Sequence, residues 1–350
     1  MEVLHDPSTV LRAWAAEQVG FWLAGSISSS DALADFDILN NSEPNVFILR
    51  AQGGRVGIAE KPLGPWSKRV SSLGPRRALQ YRDFLEVVLR RFCPDLATTL
   101  AVYIADGALA APPVPVFAFQ KPRGNASLLL PDVDLLESDF PTIESLSDSL
   151  SYMEKHCSAI FVGSTTGSRL NEAMVHELGL PRLRSAIFFR NHPLVEFRLP
   201  NLVQCDSSAT EQLLREMGFG DGIRVSWSQQ LRHRFIISMD GNGASCGRIV
   251  RGLLSNSVLL KYDSPHMLYY FSGLQPWLHY VPISCDEDVV RTVEIELRHP
   301  GFFADIAQAG QRFARSLLSR DSAILYTSEL LQLYAATCSG SQIPPRGSGV

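Results

Sequence analysis

The segment Phe235–Tyr262, "FIISMDGNGASCGRIVRGLLSNSVLLKY", limits this chain more than any other. A short apolar run meets a glycine-rich polar loop, an apolar-periodic stretch follows, and "SVLLKY" is a second strand. Strand, tight loop, helix and strand in that order is the unit of an α/β sheet. A helix opening directly off a loop carries unpaired N–H groups and the positive end of its dipole. Ser245 is placed to cap it, and Arg248 lies in its first turn, where a cation is unfavourable unless an anion joins it. Gly241 and Gly243 allow a ligand to approach the backbone. A diphosphate fits such a loop, and so does a plain capped turn. Gly241, Gly243 and Gly247 miss the GxGxxG spacing, and GxxxxGK[ST] is absent, so a dinucleotide oxidoreductase and a P-loop enzyme are both disfavoured.

A second loop repeats the theme. In "SAIFVGSTTGSRLNEAMVHEL" (158–178) the strand "AIFV" precedes "GSTTGS" and an expected helix. Gly163, Ser164, Thr165, Thr166, Gly167 and Arg169 offer hydroxyls, backbone N–H groups and a guanidinium, all suited to phosphate or sugar oxygens. A Ser/Thr-rich turn is the alternative. Asp132-Val133-Asp134 follows another strand, and a D-x-D pair at that place can hold a divalent cation in a metal-dependent GT-A transferase.

The rest of the chain is compatible with two domains. It has 350 residues, 45% apolar and 19% charged, and a formal charge of -4, which argues against a nucleic-acid binder. Its six cysteines form no CxxC pair and read as free thiols in a reducing compartment. The N-terminus reads as an amphipathic helix rather than a signal peptide, and no window is long and apolar enough to span a membrane. Residues 45–61 read as a hairpin around Gly53–Gly54 and residues 76–92 as a helix. "DSLSYMEKHC" reads as a helix, and "LVEFRL" and "IRVSW" as strands. The expected division is an N-terminal acceptor-side α/β domain (1–155), a C-terminal nucleotide-sugar-binding α/β domain (156–320), and a helix (321–340) packing back on the first.

In this order the segments resemble glycosyltransferase family 90, which spans capsule-associated xylosyltransferases, Rumi-like protein O-glucosyltransferases and bacterial lipopolysaccharide enzymes. The correspondence is densest over "DGNGASCGRIVRGLLSNSVLLKYDSPHMLYYFSGLQPWLHYVPISCDEDV" (240–289). It extends to "FADIAQAGQRF", "FVGSTTGSR", "PDLATTLAVYIADG" and "PVPVFAFQK". Two departures stand out: Val162 replaces the arginine of the F-R-G pattern, and "HMLYYF" has no carboxylate.

The resemblance implies a GT-B-like α/β fold, with two facing Rossmann-like domains and a donor in the cleft. It implies inverting transfer of xylose or glucose from a UDP-sugar, with no metal and no other cofactor. It makes Asp106 the base and places the donor on Gly163–Gly167, Arg169, Asp240, Gly241, Gly243, Ala244, Ser245 and Arg248, with Lys261 and Tyr269 beside it. The acceptor would be a glycan, a lipid-linked glycan or a protein hydroxyl. Together with the missing signal, this points to a cytoplasmic enzyme of cell-surface polysaccharide or lipopolysaccharide synthesis, peripheral to the inner membrane face. A non-catalytic nucleotide-sugar or glycan-binding module is the alternative that Val162 favours.

Overall fold

The computed structural model describes residues 6–23, 29–61, 74–110, 112, 114–244 and 246–338. The chain divides into two units. Unit 1 comprises Met1–Phe140, Met267–Ser272 and Arg320–Val350, and unit 2 comprises Pro141–His266 and Gly273–Ser319.

Unit 1 holds α1 (Pro7–Leu23), α2 (Ser29–Ser42), β1 (Val46–Gln52), β2 (Arg55–Ile58), α3 (Gly74–Phe92), β3 (Thr98–Tyr103), β4 (Val116–Ala118), the two-residue β5 (Lys121–Pro122), β6 (Leu128–Leu129), α4 (Val133–Glu137) and α13 (Arg320–Cys338). Its sheet runs β2-β1-β3-β4-β6. The expected hairpin is β1–β2, and both turn glycines take positive φ, 57° at Gly53 and 69° at Gly54, as a primed two-residue turn requires. β1 pairs antiparallel with β3, whereas β3, β4 and β6 are parallel. The sheet is therefore mixed, not the all-parallel sheet of a Rossmann-like domain. Helix α13 packs against α1 and α3. Two of its tyrosines are completely buried because their hydroxyls reach strand carbonyls: Tyr326 donates to Leu129 O at 2.7 Å and Tyr334 to Thr99 O at 2.6 Å.

Unit 2 holds α5 (Ile143–Leu146), β7 (His156–Ser164), α6 (Glu172–His176), α7 (Pro181–Phe188), β8 (Val195–Asn201), α8 (Ser208–Glu216), α9 (Trp227–Gln230), β9 (His233–Ser238), α10 (Cys246–Leu254), β10 (Val258–Tyr262), β12 (Val281–Ile283), α11 (Asp286–Arg298) and α12 (Ala304–Leu317). The two-residue β11 (His266–Met267) lies where the chain passes from unit 2 to unit 1. The sheet order is β12-β10-β9-β7-β8, and every pairing is parallel. Parallel strands are covered on both faces, which is why the middle of β9 is apolar: Phe235, Ile236 and Ile237 are fully enclosed. The chain moves outward one way from β7 to β8 and the other way from β9 to β10. With right-handed crossovers, α7 and α10 therefore cover opposite faces. The gap between β7 and β9, where the direction reverses, is the place at which such sheets bind ligands.

Three elements differ from the sequence expectation. "DSLSYMEKHC" forms only a single 3-10 turn, Tyr152–Glu154, before β7 begins at His156. The Glu154 carboxylate turns back to accept from Ser151 N and Oγ, and Lys155 is already extended. "RLNEAMVHEL" shortens to the one-turn α6, ending where Leu178 takes φ 51°. "IRVSW" forms no strand, because Ser226 caps α9.

The boundary also falls at 140/141 instead of 155. Buried polar contacts tie residues 141–155 to unit 2. Lys155 Nζ meets Asp148 Oδ2 at 2.7 Å with both side chains almost completely buried, and it also donates to Leu231 O and Ser257 Oγ. Asp148 Oδ2 accepts from Asn256 N at 2.7 Å. Asp148→Ala would strand a buried ammonium, and chemical denaturation should report a loss of about 3–5 kcal/mol.

Candidate functional site

Both loops singled out in the sequence leave the C-terminal ends of the neighbouring strands β7 and β9. Thr165 ties the first loop to the segment after β8: its Oγ1 accepts from Val203 N and donates to Val203 O, both at 2.9 Å. Gly167 N donates to Asn242 Oδ1 at 3.1 Å, joining the first loop to the second. Gly167 has φ 142°, and a side chain there would strike Leu180. A Cβ at Gly241 would collide with Thr166 Oγ1 and the Arg182 guanidinium, so only glycine lets the loops close on each other. The second loop folds on itself through Gly241 N to Gly243 O, 3.0 Å, and both Gly243 and Ala244 are buried.

Arg182, in the first turn of α7, fastens the assembly. Its Nε donates to Asp240 O at 2.9 Å, Nη2 to Met239 O at 2.8 Å, and Nη1 to Ser164 O at 3.1 Å and Thr166 Oγ1 at 2.7 Å. The guanidinium also stacks on Phe161. Burial pushes its pKa down to about 10, against an upward pull from Asp240. Sequence reasoning missed this residue, because "PRLR" is an ordinary helix start with proline at its first position.

Beside the loops lies a cavity of about 610 Å³, at the C-terminal ends of β7, β9, β10 and β12. Thr166, Gly167, Asp240 and Gly241 form one side of it, and Leu180, Pro181, Met239 and Phe188 give it apolar wall. Asp286, at the start of α11, accepts from Tyr262 Oη at 2.5 Å and from Ser185 Oγ at 2.7 Å. Burial, and then the Asp286 hydrogen bond, raise the Tyr262 pKa, so this phenol stays a proton donor. Asp240 Oδ2 accepts from Ser264 Oγ at 2.6 Å and lies 3.2 Å from His266 Nδ1.

The remaining sequence candidates are spread out. Arg248 is on α10, where its guanidinium is held 4.5 Å from the Phe161 ring and 5.7 Å from the Trp227 ring. Nη2 donates to Val162 O at 2.6 Å, while Nη1 is buried with no hydrogen-bond partner among the described residues. Burial, then the neighbouring Arg182 and Arg251 charges, push its pKa down to about 9. Arg169 is exposed, and its charge acts on Asp206. Lys261 is buried, with Nζ 5.7 Å from the Tyr280 ring and 3.4 Å from Tyr262 O. Ser245 lies outside the described residues.

Three candidates belong to unit 1. Tyr269 is completely buried there in an aromatic cluster with Trp14, Tyr270 and Tyr326. Asp106 follows β3, and its Oδ1 lies 3.2 Å from Arg77 Nη1, which also donates to Ile104 O at 2.8 Å. Asp132 is the buried N-cap of α4, its Oδ1 accepting from Leu135 N at 3.1 Å. Among the described residues no three His, Cys, Asp or Glu side chains converge as metal ligands. Among those residues, too, no helix is long and apolar enough to cross a membrane.

Comparison with known proteins matches residues 105–346 to the family model described as Glycosyl transferase family 90. Protein O-glucosyltransferase 2 of Danio rerio is 27% identical over 228 residues, covering 64% of this chain and 43% of that protein. Human Protein O-glucosyltransferase 3 is 25% identical over 236 residues, covering 64% and 42%. Protein O-glucosyltransferase 1 of Rattus norvegicus is 22% identical over 281 residues, covering 75% and 67%. The chain thus spans less than half the length of the first two.

Replacing Arg182 tests the loop assembly directly. Arg182→Ala leaves acceptors on both loops without their donor and should cost on the order of 3 kcal/mol in denaturant unfolding. Arg182→Lys, lacking the planar fork, should recover little of that loss.

Proposed function

This chain belongs to glycosyltransferase family 90, and from that premise we propose that it transfers a sugar from a UDP-sugar to a hydroxyl group of a protein or glycan acceptor. The names of the related proteins make glucose the first donor sugar to test and a protein hydroxyl the first acceptor; xylose and cell-surface glycans are the other members of the proposal. The observation that carries this reading is the pair of loops stitched together at the β7/β9 switch point, with a cavity next to them.

The donor's parts find matching chemistry in unit 2. The apolar wall suits the base, and carboxylates at the cavity edge suit ribose hydroxyls, which donate. The diphosphate goes to the loops, near the start of α10. Arg248 adds to this attraction. It is a half-buried cation whose enclosed Nη1 has no partner, and no carboxylate pairs with it among the described residues. A desolvated charge without a counterion is costly, and a bound anion removes that cost.

A GT-B division of labour assigns donor binding to unit 2 and acceptor activation to unit 1. Asp106 removes the proton from the acceptor hydroxyl as its oxygen attacks the anomeric carbon from the side opposite the diphosphate. The bond to the diphosphate breaks with inversion, and the loop N–H groups and Arg248 stabilise the charge left on the leaving oxygen. No metal is required in this scheme.

Titration calorimetry with UDP tests the donor site. Arg248→Ala should weaken UDP binding by about 2 kcal/mol, the value of a charge-assisted contact, and unchanged affinity would remove that arginine from the site. Asp106→Asn should slow transfer from UDP-glucose on the order of 10²- to 10⁴-fold while UDP affinity holds. Near-wild-type turnover would transfer the base role elsewhere.

A further inference from the structure

The cavity next to the loops is short of positive charge. Its charged lining residues, among those described, are Arg184 from α7 against Asp240 after β9, Asp263 after β10, and Asp286 and Glu287 at the start of α11. Arg182 is close by, but its donors are taken by loop carbonyls and Thr166. An anionic ligand placed against Asp240 and Gly241 therefore meets an excess of carboxylates. One lining group, His266, brings a ring that can carry positive charge into this balance.

His266 is held in place from two directions. Its backbone N donates to Ser264 Oγ at 3.0 Å, and its Nδ1 lies 3.2 Å from Asp240 Oδ2, the oxygen that also accepts from Ser264 Oγ at 2.6 Å. With Nδ1 committed to Asp240, Nε2 is the ring's remaining polar atom. In the neutral ring with its proton on Nδ1, Nε2 is an acceptor and has nothing to offer a phosphate oxygen, which also only accepts. In the imidazolium both nitrogens donate. Asp240, the first residue of the glycine loop, thus fixes the ring beside the place where the diphosphate is assigned.

We propose that His266 is a specificity residue of the donor site, whose imidazolium, oriented by Asp240, donates from Nε2 to the donor's diphosphate. This rests on the donor reading above. The direction follows: the extra affinity belongs to the protonated ring, the form in which Nε2 donates.

The test is UDP affinity by calorimetry, from about pH 6 to about pH 8.5, for the wild type, His266→Gln and His266→Lys. UDP's own terminal phosphate gains charge near pH 6, but it does so equally for every variant, so the readout is the ratio of Kd values at each pH. The Gln variant should bind on the order of tenfold more weakly at the low end, with the ratio approaching one at the high end. The Lys variant, which keeps its charge, should bind at the high end more tightly than the wild type. A partly misfolded variant would lose affinity at every pH, which leaves the slope of the ratio unaffected. A Gln-to-wild-type ratio that does not change with pH overturns the role of His266 while leaving the donor reading intact. Failure of the wild type to bind UDP at any pH overturns the donor reading, and this inference with it.

Discussion

Unit 2 turns on the guanidinium of Arg182. At a switch point the two connections leave in opposite directions, so the loops at the ends of β7 and β9 have no ladder between them. Their carbonyls at Ser164, Met239 and Asp240 face inward, where unpaired acceptors are expensive. One planar fork, anchored by α7, bonds to all three and to Thr166 as well. Burial lowers its pKa only to about 10, so the group remains a cation at neutral pH. The loops are thereby fixed before any ligand arrives, and binding does not have to order them.

The two arginines near the loops differ in how their charge is satisfied. Arg182 is surrounded by carbonyl oxygens and the Asp240 carboxylate, and its work is internal. Arg248 lies against two aromatic rings with a single carbonyl and two neighbouring cations. The first holds the loops in shape; the second is under electrostatic tension that an anion relieves. Proximity in sequence to the glycine loop favoured Arg248 over Arg182, although the contacts of Arg182 are what bring the loops together.

How much was legible follows from how local each signal is. The β9–loop–α10–β10 unit could be read because a parallel strand is a continuous apolar run and its loop is polar and glycine-rich. The hairpin could be read from Gly53–Gly54 alone. Arg182 could not, since its partners are 16 to 58 positions away in sequence. Nor could the fate of "DSLSYMEKHC", where the pairing of Lys155 with Asp148 overrides helix propensity. Tyr269 looked like a donor-side residue because it follows the lysine strand; the short segment Met267–Ser272 instead joins unit 1 and gives its aromatics to that core. The family resemblance supplied the order of the segments, and the loop contacts supplied their arrangement.

The membership of α13 in unit 1 has a consequence for biosynthesis. Unit 2 is an insertion in the chain of unit 1, since residues before Pro141 and after Ser319 belong to the same core. On the ribosome, the strands of unit 2 are all made before Arg320 emerges. The hydroxyls of Tyr326 and Tyr334, which bond to Leu129 O and Thr99 O, are made only after all of unit 2. The carbonyl of Leu129 thus waits for its Tyr326 partner through nearly 200 further residues. Unit 2 can fold before unit 1 is completed, although unit 1 is begun first, reversing the usual vectorial order.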